Sequence, residues 1–464
     1  MHILFFTRSV SQFRPYRSII RALSARGHTV RAVFDPRYER RSSFDSVRRF
    51  QEGTPGFSYT FGCRRGGAWK KIIFAARELR SYRRYLLAPR QAAFYRERWV
   101  NFLPLPLRTF VRAFPRASTA LIKSRWFNAA LLLVEKITPS LGGIVDMIRN
   151  EKPDVVVVGY RNLPSRALDL EYLKAAKALH IPSVIPVLGW DTLTTKGLIQ
   201  IVPDRMLVWN EDQVAELAEH HDIAGSCVRV VGAYQFDFWL ARTTPSLNRA
   251  EFCARWNLRP EDPLLLYFGF SYSGKDRRLR DGHGPSVVEG LRRALDASGD
   301  ARLARAQILV RPHPMHTDAF RNMNVRDATV MLMENTLMSA PEDVELLYDT
   351  VYHSLCAAAI NTTAIIDAVI QDKPGIILNW DEYKTVQGGT HFKQFMATGA
   401  VLISHSSEEF SKLVRSLVDG NDLSGADRRA FFNNFIRPRG ATRSAGEVAA
   451  DEIETLVHSY EKKK

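Results

Sequence analysis

Asp154-Val155-Val156-Val157-Val158-Gly159-Tyr160 is a continuous apolar run made almost wholly of β-branched valine. A strand covered by helices on both faces reads this way, whereas a half-exposed strand alternates. The residues around it keep the same punctuation. Downstream the pattern predicts a helix over Leu168–Leu179, strands at Ser183–Leu188 and Asp204–Trp209, a helix over Glu211–His220 and a strand at Val228–Val231. Upstream, His2–Phe6 and His28–Phe34 read as strands around a helix Tyr16–Ala25 that stops at Gly27. A second alternating set starts at Pro263, with strands at Leu264–Phe268, Gln307–Val310, Thr329–Met333, Ala357–Ile360, Gly375–Leu378 and Val401–Ile403. Helices fall between them, and Glu447–Tyr460 reads as a terminal helix. Strands alternating with helices give parallel sheets with right-handed crossovers. The expected fold class is therefore α/β, with two Rossmann-like domains facing across a cleft. The polar stretch 240–262 is read as the linker, which sets the domains at 1–245 and 246–464.

The chain of 464 residues is long enough for more than one core, and its 45% hydrophobic and 25% charged composition excludes a mostly disordered chain. Cys63, Cys227, Cys253 and Cys356 form no CxxC pair, so neither a zinc ribbon nor a disulfide framework is expected. The opening MHILFFTRSV reads as a first strand, not a signal peptide, and no run is long enough to span a bilayer.

Charge is concentrated. Between Phe61 and Trp126 there are sixteen Lys and Arg against two acids, Glu78 and Glu97, so +14 of the net +16 sits in one seventh of the chain. This stretch belongs to a helical insertion at about 60–145. In its segment 68–87, Trp69, Ile72, Ile73, Ala76, Leu79, Tyr82, Tyr85 and Leu86 follow a helical period, and Lys70, Lys71, Arg77, Arg80, Arg83 and Arg84 make the polar face. Basic and aromatic residues so interleaved suit the headgroup layer of an anionic membrane, and 61–126 is read as a peripheral membrane contact. A solvated basic face is the plainer alternative.

Open α/β sheets bind ligands beyond the carboxyl ends of their strands, so the residues that follow each strand are the candidates. After 264–268 come Ser271, Ser273 and Gly274, small and hydroxylated residues that let a phosphate approach backbone N–H groups; they do not complete a Walker A motif. After 307–310 come Arg311 and His313, the histidine held between Pro312 and Pro314. After 357–360 come Asn361, Thr362 and Thr363 at a helix start. Asp381 and His391 follow the next strand and complete the donor-binding set. In the first half, Arg161 and Asn162 follow one strand, and Trp190, Asp191, Thr194 and Lys196 follow another. Asp191 is the candidate general base, with the others lining an acceptor pocket. No HExxH motif and no DxD pair is present, so phosphate charge is expected to be met by side chains without a metal.

The segments GWDTLTTKG (189–197), PDRMLVWN (203–210), VRPHP (310–314) and INTTAIIDAVIQDKPGIIL (360–378) resemble bacterial surface-carbohydrate glycosyltransferases of the GT-B fold. The likeness is strongest over about 153–403. More loosely the chain is similar to sialyl-, Kdo- and CDP-glycerol transferases, which share an HP pair and a Ser/Thr-rich turn before a helix; here these are His313-Pro314 and Thr362-Thr363. The resemblance implies a C-terminal donor domain and an N-terminal acceptor domain that supplies a base. It leaves the basic insertion unexplained.

The expected activity is transfer of a sugar or related group from a nucleotide-activated donor to a surface-glycan or polyprenyl-linked acceptor, at the inner face of the cytoplasmic membrane. No cofactor beyond the nucleotide sugar is expected, with His313 and Asp191 catalytic. A non-hydrolysing sugar-nucleotide 2-epimerase is the alternative. A nucleic-acid-binding protein is a second one, disfavoured because no such motif is present.

Overall fold

The structure is a computed structural model. It describes all residues except 41–42, 65, 68, 89–92, 161–167, 224, 271–283, 315, 333–340 and 463–464, and only the backbone of 93, 94, 341, 342 and 385. The valine run becomes strand Val155–Val158, fully buried, in a seven-stranded all-parallel sheet. Its strands are β1 His2–Thr7, β2 Thr29–Phe34, β3 Phe57–Phe61, β4 Val155–Val158, β5 Ser183–Pro186, β6 Arg205–Val208 and β7 Val228–Val230. They lie in the order β3-β2-β1-β4-β5-β6-β7. The second sheet orders its six strands β10-β9-β8-β11-β12-β13: β8 Leu264–Phe268, β9 Gln307–Arg311, β10 Ala328–Val330, β11 Cys356–Ala359, β12 Gly375–Leu378 and β13 Leu402–Ser404. Both are doubly wound. The order reverses between β1 and β4 in one sheet and between β8 and β11 in the other, the points where such sheets open a crevice.

Seven helices matter in the first half: α1 Arg17–Ala25, α2 Trp69–Leu87, α3 Ala93–Phe102, α4 Leu105–Ala113, α5 Pro115–Lys123, α6 Arg125–Ile137 and α7 Asp169–Ala178. Later come α8 Glu211–His221, α9 Ala364–Ile370, α10 Thr390–Ala397 and α11 Ala445–Glu461. Helices α2 to α6 hold a separate apolar cluster, centred on Leu79, Tyr85, Trp99, Leu103, Ile122 and Leu131. Each sheet has its own core below its covering helices.

The chain divides into one unit of Met1–Asp237 with Phe435–Lys464, and another of Phe238–Asn434. Two expectations are corrected by this. Residues 240–262 are not a linker: Asn248 and Glu251 form a capping box on helix Arg249–Arg255, and Asp349 accepts from the backbone N–H groups of Ser246 and Leu247. The terminal helix is not part of the second unit. α11 starts at its own capping box, Ser444 with Glu447, and lies along α1. A Cβ on Gly446 would stand 2.6 Å from the carbonyl carbon of Ser18, so only glycine lets the two backbones meet. Arg26 and His28 hold Glu454 from the α1 side, at 2.7 Å each.

Candidate functional site

The second unit places its expected residues on neighbouring strand ends. Phe268 of β8 is in register with Arg311 of β9 on one side and Ala359 of β11 on the other. The turns that follow therefore lie side by side: Gly269-Phe270, Pro312-His313-Pro314 and Ile360-Asn361-Thr362-Thr363. The first two are in backbone contact. Gly269 donates its N–H to the Arg311 carbonyl at 2.9 Å, and a Cβ there would stand 2.7 Å from the His313 nitrogen. Burial first, then the neighbouring His316, holds His313 below the ordinary imidazole value. It is thus neutral near pH 7, with one N–H to donate. Its ring centroid is 6.0 Å from that of His316.

On the other side of the reversal point, Gln387 ties the ends of β11 and β12 by donating to the carbonyls of Ile360 at 2.8 Å and Leu378 at 2.9 Å. Asn361 donates its amide to the Val386 carbonyl, so it braces this turn. Thr363 is the N-cap of α9, and the Thr362 hydroxyl accepts from the Ala364 N–H at 3.4 Å. His391 lies in the first turn of α10. Asp381 departs from its expected role. Its side chain is 91% exposed and paired with Lys384 one helical turn on, which lowers its carboxyl below the usual range; it faces solvent, not the turns. Ser271, Ser273 and Gly274 lie outside the described residues, as do Arg161 and Asn162 of the acceptor set. Among the described residues at 269–270, 311–314 and 360–363 none is acidic, while Arg311, His313 and the two threonines can all donate to an anion.

In the first unit the turn after β5 folds into a short helix, Thr192–Thr195, with Asp191 at its N-cap. Lys196 donates to Asp191 Oδ2 at 2.9 Å and Thr195 to the same oxygen at 3.0 Å. Trp190 and Thr194, expected to line an acceptor pocket, are instead buried in the packing. Thr194 donates to the Asp191 carbonyl at 3.3 Å.

What braces the turn comes from the insertion. Arg84 of α2 reaches the carbonyls of Leu193, Thr194 and Lys196 at 2.6, 3.1 and 2.6 Å, and Tyr85 donates to that of Lys196 at 2.7 Å. A guanidinium across the carbonyl end of a helix satisfies acceptors the helix leaves over. His221 completes the brace. Its Nδ1 accepts from the Ile199 N–H at 3.0 Å, which leaves Nε2–H to donate to the Leu193 carbonyl at 2.9 Å. Burial and the adjacent Arg84 keep this imidazole neutral. Two turns up α2, Arg77 makes a two-pronged pair with Glu135 of α6, at 2.7 and 2.9 Å, and a third bond to Glu171 of α7 at 2.7 Å. Burial opposes the charge on Glu135, but Arg77 and Lys174 outweigh it and hold its carboxyl below the usual range. The polar face assigned to α2 is thus turned inward at Arg77 and Arg84, the reverse of a lipid-facing or solvated row. The spacing of Arg77, Ser81 and Arg84 at i, i+4 and i+7 marks one stripe: Arg77 pairs with carboxylates, Ser81 accepts from the Leu198 N–H and Arg84 donates to backbone carbonyls.

Glu216 of α8 lies near the same turn. Burial, followed by Asp212 and Asp191, pushes its carboxyl up to about 8, with Arg84 pulling the other way. It is protonated at pH 7 in the folded chain and ionised once unfolded. Stability is then full below the unfolded value of about 4.5 and is lost as pH rises toward the folded one. Urea unfolding is expected to show the chain weaker at pH 8 than at pH 5 by on the order of a few kcal/mol from this group. Glu216→Gln should shrink that difference; an unchanged pH profile would show the carboxyl to be ionised in place.

No family model matches this sequence, and no curated protein does. Solved structures do. A Listeria monocytogenes protein described as a UDP-N-acetylglucosamine 2-epimerase superposes with a TM-score of 0.56 at 11% identity, over 100% of this chain and 97% of its own. The Neisseria meningitidis UDP-GlcNAc 2-epimerase, solved with UDP-GlcNAc bound, gives 0.55 at 12% identity over 98% and 100%. The spinosyn forosaminyltransferase SpnP gives 0.49 at 14% identity over 99% of each chain. With two doubly wound parallel sheets matched along the whole chain, the fold is of the GT-B type.

Proposed function

We propose that this chain is a nucleotide-sugar enzyme that transfers a sugar or related group to a glycan or lipid-linked acceptor. The observation that carries the reading is the set of turns at the reversal point of the second sheet. Arg311, His313, Thr362 and Thr363 bring donors to the ends of β9 and β11, which flank the end of β8, with no acid in the described turns, as the phosphates of a nucleotide donor require. That the Neisseria relative in fold was solved with UDP-GlcNAc supports the same ligand class. In the proposed transfer, charge growing on the leaving phosphate is met by the Arg311 guanidinium and the His313 N–H, without a metal. Asp191 is the residue assigned to take the acceptor proton if the reaction inverts, its charge balanced by Lys196.

The epimerase reading rests on superpositions above 0.5, which share fold at 10–12% identity. One experiment separates the two. The full chain is incubated with UDP-, GDP-, dTDP-, CDP- and CMP-sugars, with and without a glycolipid extract. Nucleotide release that requires the extract supports transfer. Conversion of a nucleotide sugar to its epimer without any acceptor contradicts it.

A further inference from the structure

Eight of the fourteen large apolar side chains exposed among the described residues fall between 105 and 137, seven on α4, α5 and α6 and one, Phe114, at the junction of α4 and α5. These helices pack side by side, α4 on α5 and α5 on α6. They bury Val111, Ile122 and Leu131 in the insertion's own cluster. On α6, Trp126, Leu133 and Ile137 are spaced i, i+7 and i+11, within about 20° of one line, and that line faces away from the buried Leu131 and Glu135. Trp126 is 87% exposed and Leu105 65%. An isolated exposed leucine needs no explanation, but a dense group of this kind marks a contact surface.

Its charge says what it contacts. From Arg98 to Val134 the chain has no Asp or Glu, and Arg108, Arg112, Arg116, Lys123 and Arg125 stand among the apolar residues. The nearest exposed acid, Glu97, pairs with Arg112 at 2.9 Å. We infer that the outer face of α4–α6 docks on an anionic lipid bilayer, with Trp126, Leu133 and Ile137 at the headgroup boundary and the cations on the lipid phosphates. A nucleic acid would match the cations and stack on Trp126, but it would leave the exposed leucines and isoleucine unused. Arg77 and Arg84 of α2 add nothing to this surface, since both are spent on internal partners. The inference holds whichever reaction the chain performs, and vesicle binding reads it separately from nucleotide binding.

The test is sedimentation of the full chain with phosphatidylcholine vesicles, alone or mixed about two to one with phosphatidylglycerol. Binding is expected to the anionic vesicles and to be weak to the neutral ones. Combined Arg112→Glu, Arg116→Glu and Arg125→Glu should lower the anionic partition on the order of a hundredfold. Combined Trp126→Ser, Leu133→Ser and Ile137→Ser should lower it at least about tenfold, with the melting temperature unchanged. Arg321→Glu, Lys412→Glu and Arg429→Glu, exposed in the second unit, make the same change in net charge and should leave binding unaltered. No binding to anionic vesicles, an equal loss in that control, or a vesicle-free dimer abolished by the serine variant would overturn the inference.

Discussion

Arg77→Met is expected to lower the melting temperature of the first unit by about 10 °C, the largest stability effect of any single change considered. The guanidinium is almost fully enclosed between Glu135 and Glu171, which are themselves buried. Taking it away leaves Glu171 without this partner and Glu135 with Lys174 alone. Breaking a buried pair from one side costs about 3–5 kcal/mol, because the remaining charge stays desolvated. The same logic predicts a rescue. Arg77→Met with Glu135→Gln and Glu171→Gln should recover most of the loss, since no buried carboxylate is stranded and Lys174, partly exposed, keeps the Glu135 carbonyl. The pH dependence has the opposite sign to that of Glu216. The Glu135 carboxyl is held low in the folded chain, so its stabilisation is present above the ordinary carboxylate range and is lost as pH falls below it. Differential scanning calorimetry of the single and triple variants checks this; a shift under about 2 °C in Arg77→Met would show the pair to be solvated.

Gly269→Val is expected to cost nucleotide affinity about a hundredfold, near 3 kcal/mol, while the second sheet stays folded. A Cβ at 269 meets the His313 nitrogen at 2.7 Å, the Pro312 Cα at 3.2 Å and the Arg311 carbonyl at 3.3 Å. All are backbone atoms that no rotamer change can move. The turns after β8 and β9 must therefore part, and the break carries His313 away from the reversal point. Isothermal titration with the preferred nucleotide is the check. Unchanged affinity would mean that the two turns do not act together on the ligand.

Both sheets were legible in the sequence because their strands are covered on two sides. Leu264–Phe268 and Gly375–Leu378 coincide with β8 and β12, and Gln307–Val310 is one residue short of β9. β3 was not legible. It is an edge strand, half exposed along Ser58–Phe61, so neither a continuous apolar run nor a clean alternation marks it. The return of 435–464 to the first unit was hidden for another reason. It depends on Gly446 against Ser18, a contact between residues far apart in the chain, and a helix carries no local sign of the unit it will pack on. The strand-end positions of Arg311, His313, Thr362 and Thr363 could be read because they follow from topology alone. The inward turn of Arg77 and Arg84 could not, because their partners lie 58 to 112 residues away. Only the i, i+4, i+7 stripe hinted at it. Asp381 carried a plainer sign, Lys384 three residues on, which ties it to the surface.

The most direct measurement is calorimetric titration of the full chain with UDP, GDP, dTDP, CDP and CMP, with and without Mg²⁺ and EDTA. Selective binding of one nucleotide, insensitive to EDTA and lost in His313→Ala, is the predicted result. Binding of none, or equal binding in His313→Ala, would contradict a phosphate site at the turns of β8, β9 and β11.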